Sequence, residues 1–162
     1  FDVHRHPGAA MLLYLIQHGK AKSKDEDANR PLTEEGRREV ESVMLLMMRF
    51  GAINASRVVH SGKVRAAETA EMVGTKIDAT VEESDGLAPD DDPGTWVSRI
   101  AAEEGGLVLV GHMPHLSRLA SRLLCGDPDA GLIEFANGGV VCLHRDEGKW
   151  AVRWSIPPSL VQ

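Results

Sequence analysis

Three residues define the chemistry this sequence can support: His18, Arg65 and His112. His18 closes the apolar run Leu12-Leu13-Tyr14-Leu15-Ile16, one residue beyond Gln17, and His112 closes Leu107-Val108-Leu109-Val110 after Gly111. Both runs are too short to cross a membrane and read as buried strands of a parallel sheet. In an open α/β sheet, ligands bind in the crevice outside the carboxyl ends of the strands, which is where both imidazoles fall. Arg65 lies in the first turn of a helix that follows a third short strand, Arg57-Val58-Val59-His60. Two imidazoles and a guanidinium without a cysteine ligand set make an anion pocket rather than a zinc site, because arginine repels a metal ion and matches phosphate oxygens as a fork. The amides at the amino end of the Lys63 helix add to that field. Phosphate is the expected guest, and no metal site is assigned.

The elements that must hold these groups follow from punctuation and periodicity. Thr33 caps a helix with Glu34 and Glu35 in its first turn and Val40, Val43, Met44, Met47 and Phe50 on one apolar face, ending near Gly51. A helix over Lys63 to Ile77 and a strand near Ala79 to Glu83 come next. Pro93 opens a third helix carrying Trp96, Val97, Ile100 and Ala101. Pro114 opens a fourth, with Leu116, Leu119, Ala120, Leu123 and Leu124 facing inward. Gly138 to Leu143 and Lys149 to Trp154 form a terminal hairpin around Glu147-Gly148, with Trp150, Val152 and Trp154 on one face. Strands alternating with helices predict an α/β domain, a three-layer α/β/α sandwich on a mostly parallel sheet.

The chain has 162 residues and a net charge of −6, which fits one domain and argues against general affinity for nucleic acid or an acidic membrane. Cys125 and Cys142 lack zinc or redox spacing and read as reduced core thiols of a cytoplasmic protein. Met11 reads as the native start. Residues 1–10 read as a remnant or frayed tail whose His4-x-His6 pair is incidental, with a single domain over 11–162.

Four segments, LIQHGKA, NRPLTEEG, SGKVRAAETA and LVGHMPHLS, occur in an order and spacing that resemble the histidine phosphatase superfamily, also called phosphoglycerate-mutase-like, and within it the SixA-type phosphohistidine phosphatases. The resemblance implies a six-stranded mixed sheet, no metal or organic cofactor, and a hydrolase. It makes His18 the nucleophile that carries a transient phosphoryl group, with Arg65 and His112 holding the phosphate. Glu68 and Thr69 support Arg65. The implied partner is a phosphohistidine protein, with a small phosphate ester as the alternative, and the chain is expected to be a monomer or weak dimer.

One motif position departs. The family has Arg-His-Gly where this chain has Gln17-His18-Gly19, and an amide cannot replace a bidentate guanidinium. Losing a charge-assisted bond to a buried anion costs about 1.5–3 kcal/mol. Gln17 itself, Lys20 and Arg30 are the candidates to complete the phosphate site. Without compensation the chain would be a weakly catalytic phosphate-binding pseudo-phosphatase. Asp90 and Asp91, in the run Asp90-Asp91-Asp92, are candidates for a general acid. His115 reads as a surface or capping residue, and a metal-dependent hydrolase on His112 and His115 is the remaining alternative.

Overall fold

The computed structural model describes residues 10–161. The His4-x-His6 pair and, Ala10 apart, the tail expected over residues 1–10 lie outside the described residues. The chain runs β1 (Met11–Gln17), α1 (Glu34–Arg49), β2 (Arg57–His60), α2 (Val64–Ile77), β3 (Thr80–Glu83), α3 (Gly94–Ala101), β4 (Gly105–Gly111), α4 (His115–Cys125), β5 (Val140–Asp146) and β6 (Lys149–Ile156). One six-stranded sheet has the order β3-β2-β4-β1-β5-β6. β1 to β4 pair in parallel, while β5 runs antiparallel to both β1 and β6.

Each face of the sheet carries its own core, which makes the three layers. Tyr14, Ile16, Val58, Val108 and Val110 pack against Val40, Val43, Met44 and Met47 of α1 and Ala66, Ala70 and Val73 of α2. Leu13, Leu15, Leu107 and Leu109 pack against Trp96 and Ile100 of α3 and Leu116, Leu119 and Ala120 of α4. The alternation along β1 and β4 divides their side chains between the two faces. Because both faces are covered, the strands read as continuous apolar runs.

Three expectations about the framework are corrected. Phe50 does not join the buried face of α1. The helix ends at Arg49, so Phe50 leaves the helical phase and is 71% exposed, with the Arg49 guanidinium 6.0 Å from its ring. Trp150, Val152 and Trp154 do not share a face. Cys142 pairs with Trp154 and Leu143 with Val152, so Arg153 is an extra residue in β6. That bulge resets the alternation: Trp150 packs on the α3/α4 side, Trp154 on the α1/α2 side beside Tyr14, and Val152 is exposed. Cys125, at the end of α4, is exposed, whereas Cys142 is buried as expected.

The contact that fixes α1 against the carboxyl end of the sheet is backbone on backbone. Thr33 Oγ1 accepts from Gly36 N at 2.9 Å, and a Cβ on Gly36 would stand 2.3 Å from the Lys20 carbonyl oxygen. Gly36→Ala is therefore expected to lower stability by about 1–3 kcal/mol, read as a reduced urea midpoint. An unchanged midpoint would show that the segment after His18 yields to the extra methyl group.

Candidate functional site

The register of β1 on β4 pairs Gln17 with Gly111, so the residues that follow, His18 and His112, emerge side by side. His18 N donates to the Gly111 carbonyl at 3.1 Å, and the two imidazole centroids are 5.0 Å apart at 50°. Both rings are buried, His18 at 8% and His112 at 1% exposure. His18 Nδ1 lies 2.7 Å from the Gly19 carbonyl, which can only accept; the ring proton therefore sits on Nδ1 and leaves a lone pair on Nε2. Burial holds the His18 pKa below its ordinary value, against the raising effect of the Gly19 bond, and the Arg65 and Arg30 charges push it lower still. His18 is thus a neutral imidazole with an unprotonated nitrogen, the form an imidazole nucleophile requires.

His112 Nε2 is 2.6 Å from Ser61 Oγ. The Lys63 N–H donates to Ser61 Oγ at 3.4 Å, and the hydroxyl can turn its own proton to the imidazole. In that tautomer the ring proton of His112 is on Nδ1, an atom buried without a hydrogen-bond partner. Burial, then the neighbouring His18 and Arg65, push its pKa down to about 3. A buried orphan donor costs free energy unless something accepts from it, and an anionic oxygen does that best.

Arg65 comes from the first turn of α2. Thr69, one turn on, donates to the Arg65 carbonyl at 2.8 Å and accepts from Gly19 N at 3.0 Å, tying α2 to the His18 loop. The Arg65 Nε is buried without a partner, and burial followed by the Arg30 charge lowers its pKa. Among the described residues no carboxylate pairs with Arg65. The guanidinium is held in place yet not neutralised, which is what binding an anion demands.

The phosphate-site candidates separate. Lys20 is corrected: its Nζ is 2.8 Å from Glu35 and 3.3 Å from Glu39 on α1, so those two carboxylates satisfy it and it does not line the groove around Arg65. Gln17 ends β1 with its Oε1 buried and unpartnered. Arg30 lines a groove of about 620 Å³ together with Arg65, Lys24, Lys63, Asp90 and Asp91. Its backbone has φ +48°, an uncommon conformation for a non-glycine residue. The loop is clamped: Arg30 N donates to Asp27 O and its Nε to Lys22 O, both at 3.0 Å, while Leu32 N donates to Glu68 at 2.9 Å. Glu68 also pairs with Arg37.

Asp90 and Asp91 differ in availability. Asp91 Oδ2 accepts from Ala88 N at 2.9 Å, and Asp92 Oδ1 accepts from Gly94 N at 2.9 Å ahead of α3. Asp90 is exposed in the groove. His115 is corrected from a surface residue to a wholly buried one, because the first turn of α4 packs against the loop after β3, whose Gly86 backbone and Asp91 carboxylate act on the ring. His60 is also buried and accepts from Gly62 N at 3.0 Å, a turn-forming role. Asn137 escaped the sequence reading: its Nδ2 donates to His18 O at 3.0 Å, while Gly138 N donates to Gln17 O at 2.9 Å. The Asn137-Gly138-Gly139 turn signal was its only trace.

Residues 13–89 match the histidine phosphatase superfamily (branch 1). An uncharacterized protein of Picosynechococcus sp. is 29% identical, over 91% of this chain and all of its own length. The structure of the protein histidine phosphatase SixA complexed with tungstate superposes with a TM-score of 0.81 at 23% identity, covering 94% of this chain and 100% of that one. The α-ribazole phosphatase of Shigella flexneri gives 0.74 at 16% identity, covering 91% and 97%. The matched residues include His18, Arg30 and Arg65, and the fold shared with these structures brings His112 beside His18; over residues 13–89 the chain is similar to the histidine phosphatase superfamily.

Proposed function

We propose that the protein is a SixA-like, metal-independent phosphatase that takes the phosphoryl group from a phosphohistidine onto His18. The observation that carries the reading is the pairing of a neutral His18, lone pair on Nε2, with an Arg65 that no carboxylate answers. His18 Nε2 attacks phosphorus in line while the bond to the leaving nitrogen breaks. Arg65 and the His112 Nδ1–H meet the charge on the equatorial oxygens. Water then attacks the phosphorus on His18, releasing phosphate and restoring the imidazole. A leaving imidazole can be protonated beforehand, so this substrate makes little demand on a general acid. Exposed Asp90 favours one second reading, a small phosphate ester whose alkoxide it would protonate. SixA, in the neighbour's own description, is a protein histidine phosphatase, which supports the first.

The test is turnover of a phosphohistidine peptide and of p-nitrophenyl phosphate, with chelator present. His18→Ala is expected to lose more than about 10³-fold in kcat/KM on both, and acid-labile phosphate should be trapped on wild-type protein. Preference for the peptide supports phosphohistidine; preference for the ester, lost in Asp90→Asn, supports the second reading. Phosphate binding without turnover of either would make the chain a pseudo-phosphatase and overturn both.

Arg30 is the residue proposed to replace the charge that Gln17 lacks. Arg30→Gln is expected to cost about 10- to 100-fold in kcat/KM, the equivalent of one charge-assisted hydrogen bond. Lys20→Gln should leave it unchanged. Equal effects would remove Arg30 from the site.

The three buried histidines also make a stability prediction. His18, His112 and His115 all have pKa values below the ordinary 6.5, so the unfolded chain takes up protons first as pH falls. Stability is full above pH 6.5 and declines below it, by up to about 1.4 kcal/mol per pH unit for each histidine. The depressed carboxylates Glu26, Glu35 and Asp85 titrate only below their ordinary range and do not enter the window from 6.5 to 5. Urea melts at pH 7.5, 6.5, 5.8 and 5.0 should show the decline; constant midpoints would refute it. The acid limb of kcat/KM should likewise lie below pH 6.5.

A further inference from the structure

The groove beside Arg65 carries more positive charge than one phosphoryl group needs. Several cations elsewhere are answered by carboxylates, among them Lys20 by Glu35 and Glu39, Arg57 by Glu82 and Glu103, and Arg99 by Asp85. Others without an ion pair among the described residues, such as Lys22, Arg49, Arg122 and Arg153, do not line this groove. Among the described residues Lys24, Arg30, Lys63 and Arg65 make no ion pair, although all four line the same groove. They come from separate places. Lys24 and Arg30 lie on the loop after β1, and Lys63 and Arg65 on the entry to α2, so the groove is built by two elements converging. Glu68 of α2 holds that loop down through Leu32 N, and Lys22 N donates to Pro31 O at 2.8 Å, so the convergence is fixed. Its volume, about 620 Å³, is that of a small-molecule pocket rather than of a single oxyanion. On the opposite side Ala88, Pro89, Asp90 and Asp91 line it, and the two carboxylates repel an anion from that side.

We propose that this groove binds a second anionic group of the substrate: with the transferable phosphoryl at Arg65 and His18, a phosphate or carboxylate carried on the same molecule lies against Lys24 and Lys63. The inference deepens the phosphatase reading and uses it only to seat the first phosphoryl. It specifies the substrate class as bis-anionic. The second charge is either part of a small phosphorylated acid or an acidic side chain next to a phosphohistidine.

Calorimetric titration of the wild-type chain with methylphosphonate, which has one anionic group, and methylenebisphosphonate, which has two, tests binding without any turnover. The bisphosphonate is expected to bind at least about tenfold tighter, as one further charge-assisted contact implies, with the steeper weakening by salt that exposed charges bring. Lys24→Gln/Lys63→Gln should remove most of that ratio, and Lys149→Gln, on the terminal hairpin, controls for net charge. Equal affinities in the wild type, or a ratio that the double variant keeps, would overturn the proposal. Failure of the phosphatase reading would instead appear as absent turnover with this ratio intact. Two kinetic comparisons then identify the source. A kcat/KM advantage for a phosphohistidine peptide with a flanking aspartate over one with alanine assigns the second anion to a protein. An advantage for O-phosphoserine over p-nitrophenyl phosphate, lost in the double variant, assigns it to a small molecule. The absence of both advantages counts against the proposal.

Discussion

The site depends on one registration: β1 lies parallel to β4 with Gln17 opposite Gly111, extended by the hydrogen bond from His18 N to Gly111 O. Two histidines almost a hundred residues apart in sequence become neighbours because two strands of equal length end together. A slip of one residue would turn each side chain of β1 to the other face, exchanging Leu13 and Leu15 for Tyr14 and Ile16 against the wrong helices. The two apolar cores therefore enforce the distance between the imidazoles. Asn137 and Gly138 then hold the Gln17 and His18 carbonyls from the β5 side, where the sheet turns antiparallel.

Electrostatically the site runs against folding stability. The histidines lose pKa to burial, and the half-buried Arg65 lies near the Arg30 charge with no carboxylate paired to it among the described residues. Orphan atoms on Arg65 and His112 add desolvation cost. These penalties sit in one place, at the carboxyl end of the sheet, while the other face of α1 and the β2/β3 edge are laced with ordinary ion pairs such as Arg57 with Glu82. Groups left unsatisfied together are the mark of a site arranged for a charged guest.

The sequence made the strands, helices and sheet class legible because the apolar runs and caps are local signals. His18, Arg65 and His112 could be brought together from topology alone, since each sits at a strand end or on the helix just after one. The misreadings share a cause: they depend on partners distant in the chain. Lys20 looked free until α1 supplied Glu35 and Glu39. His115 looked exposed because a helix start usually is, and only the loop after β3 buries it. The split of Trp150 and Trp154 follows from one extra residue at Arg153, which strict alternation does not reveal. Asn137 gave no signal beyond a turn, because its work is done on a backbone carbonyl more than a hundred residues away.

The replacement of a strand-borne arginine by Gln17 moves the question of charge from the sheet to a loop. A guanidinium at position 17 would inherit its placement from β1. On the proposed reading Arg30 does that work from a backbone with φ +48°, which costs about 1–3 kcal/mol unless its surroundings enforce it. They do: Asp27 O, Lys22 O and Glu68 through Leu32 each hold one side of the turn. Glu68 thus has a reason to be where it is that does not involve touching a substrate. It converts a flexible loop charge into a positioned one, and it does so from α2, the same helix that carries Arg65, so the two guanidiniums are placed relative to each other by one rigid element.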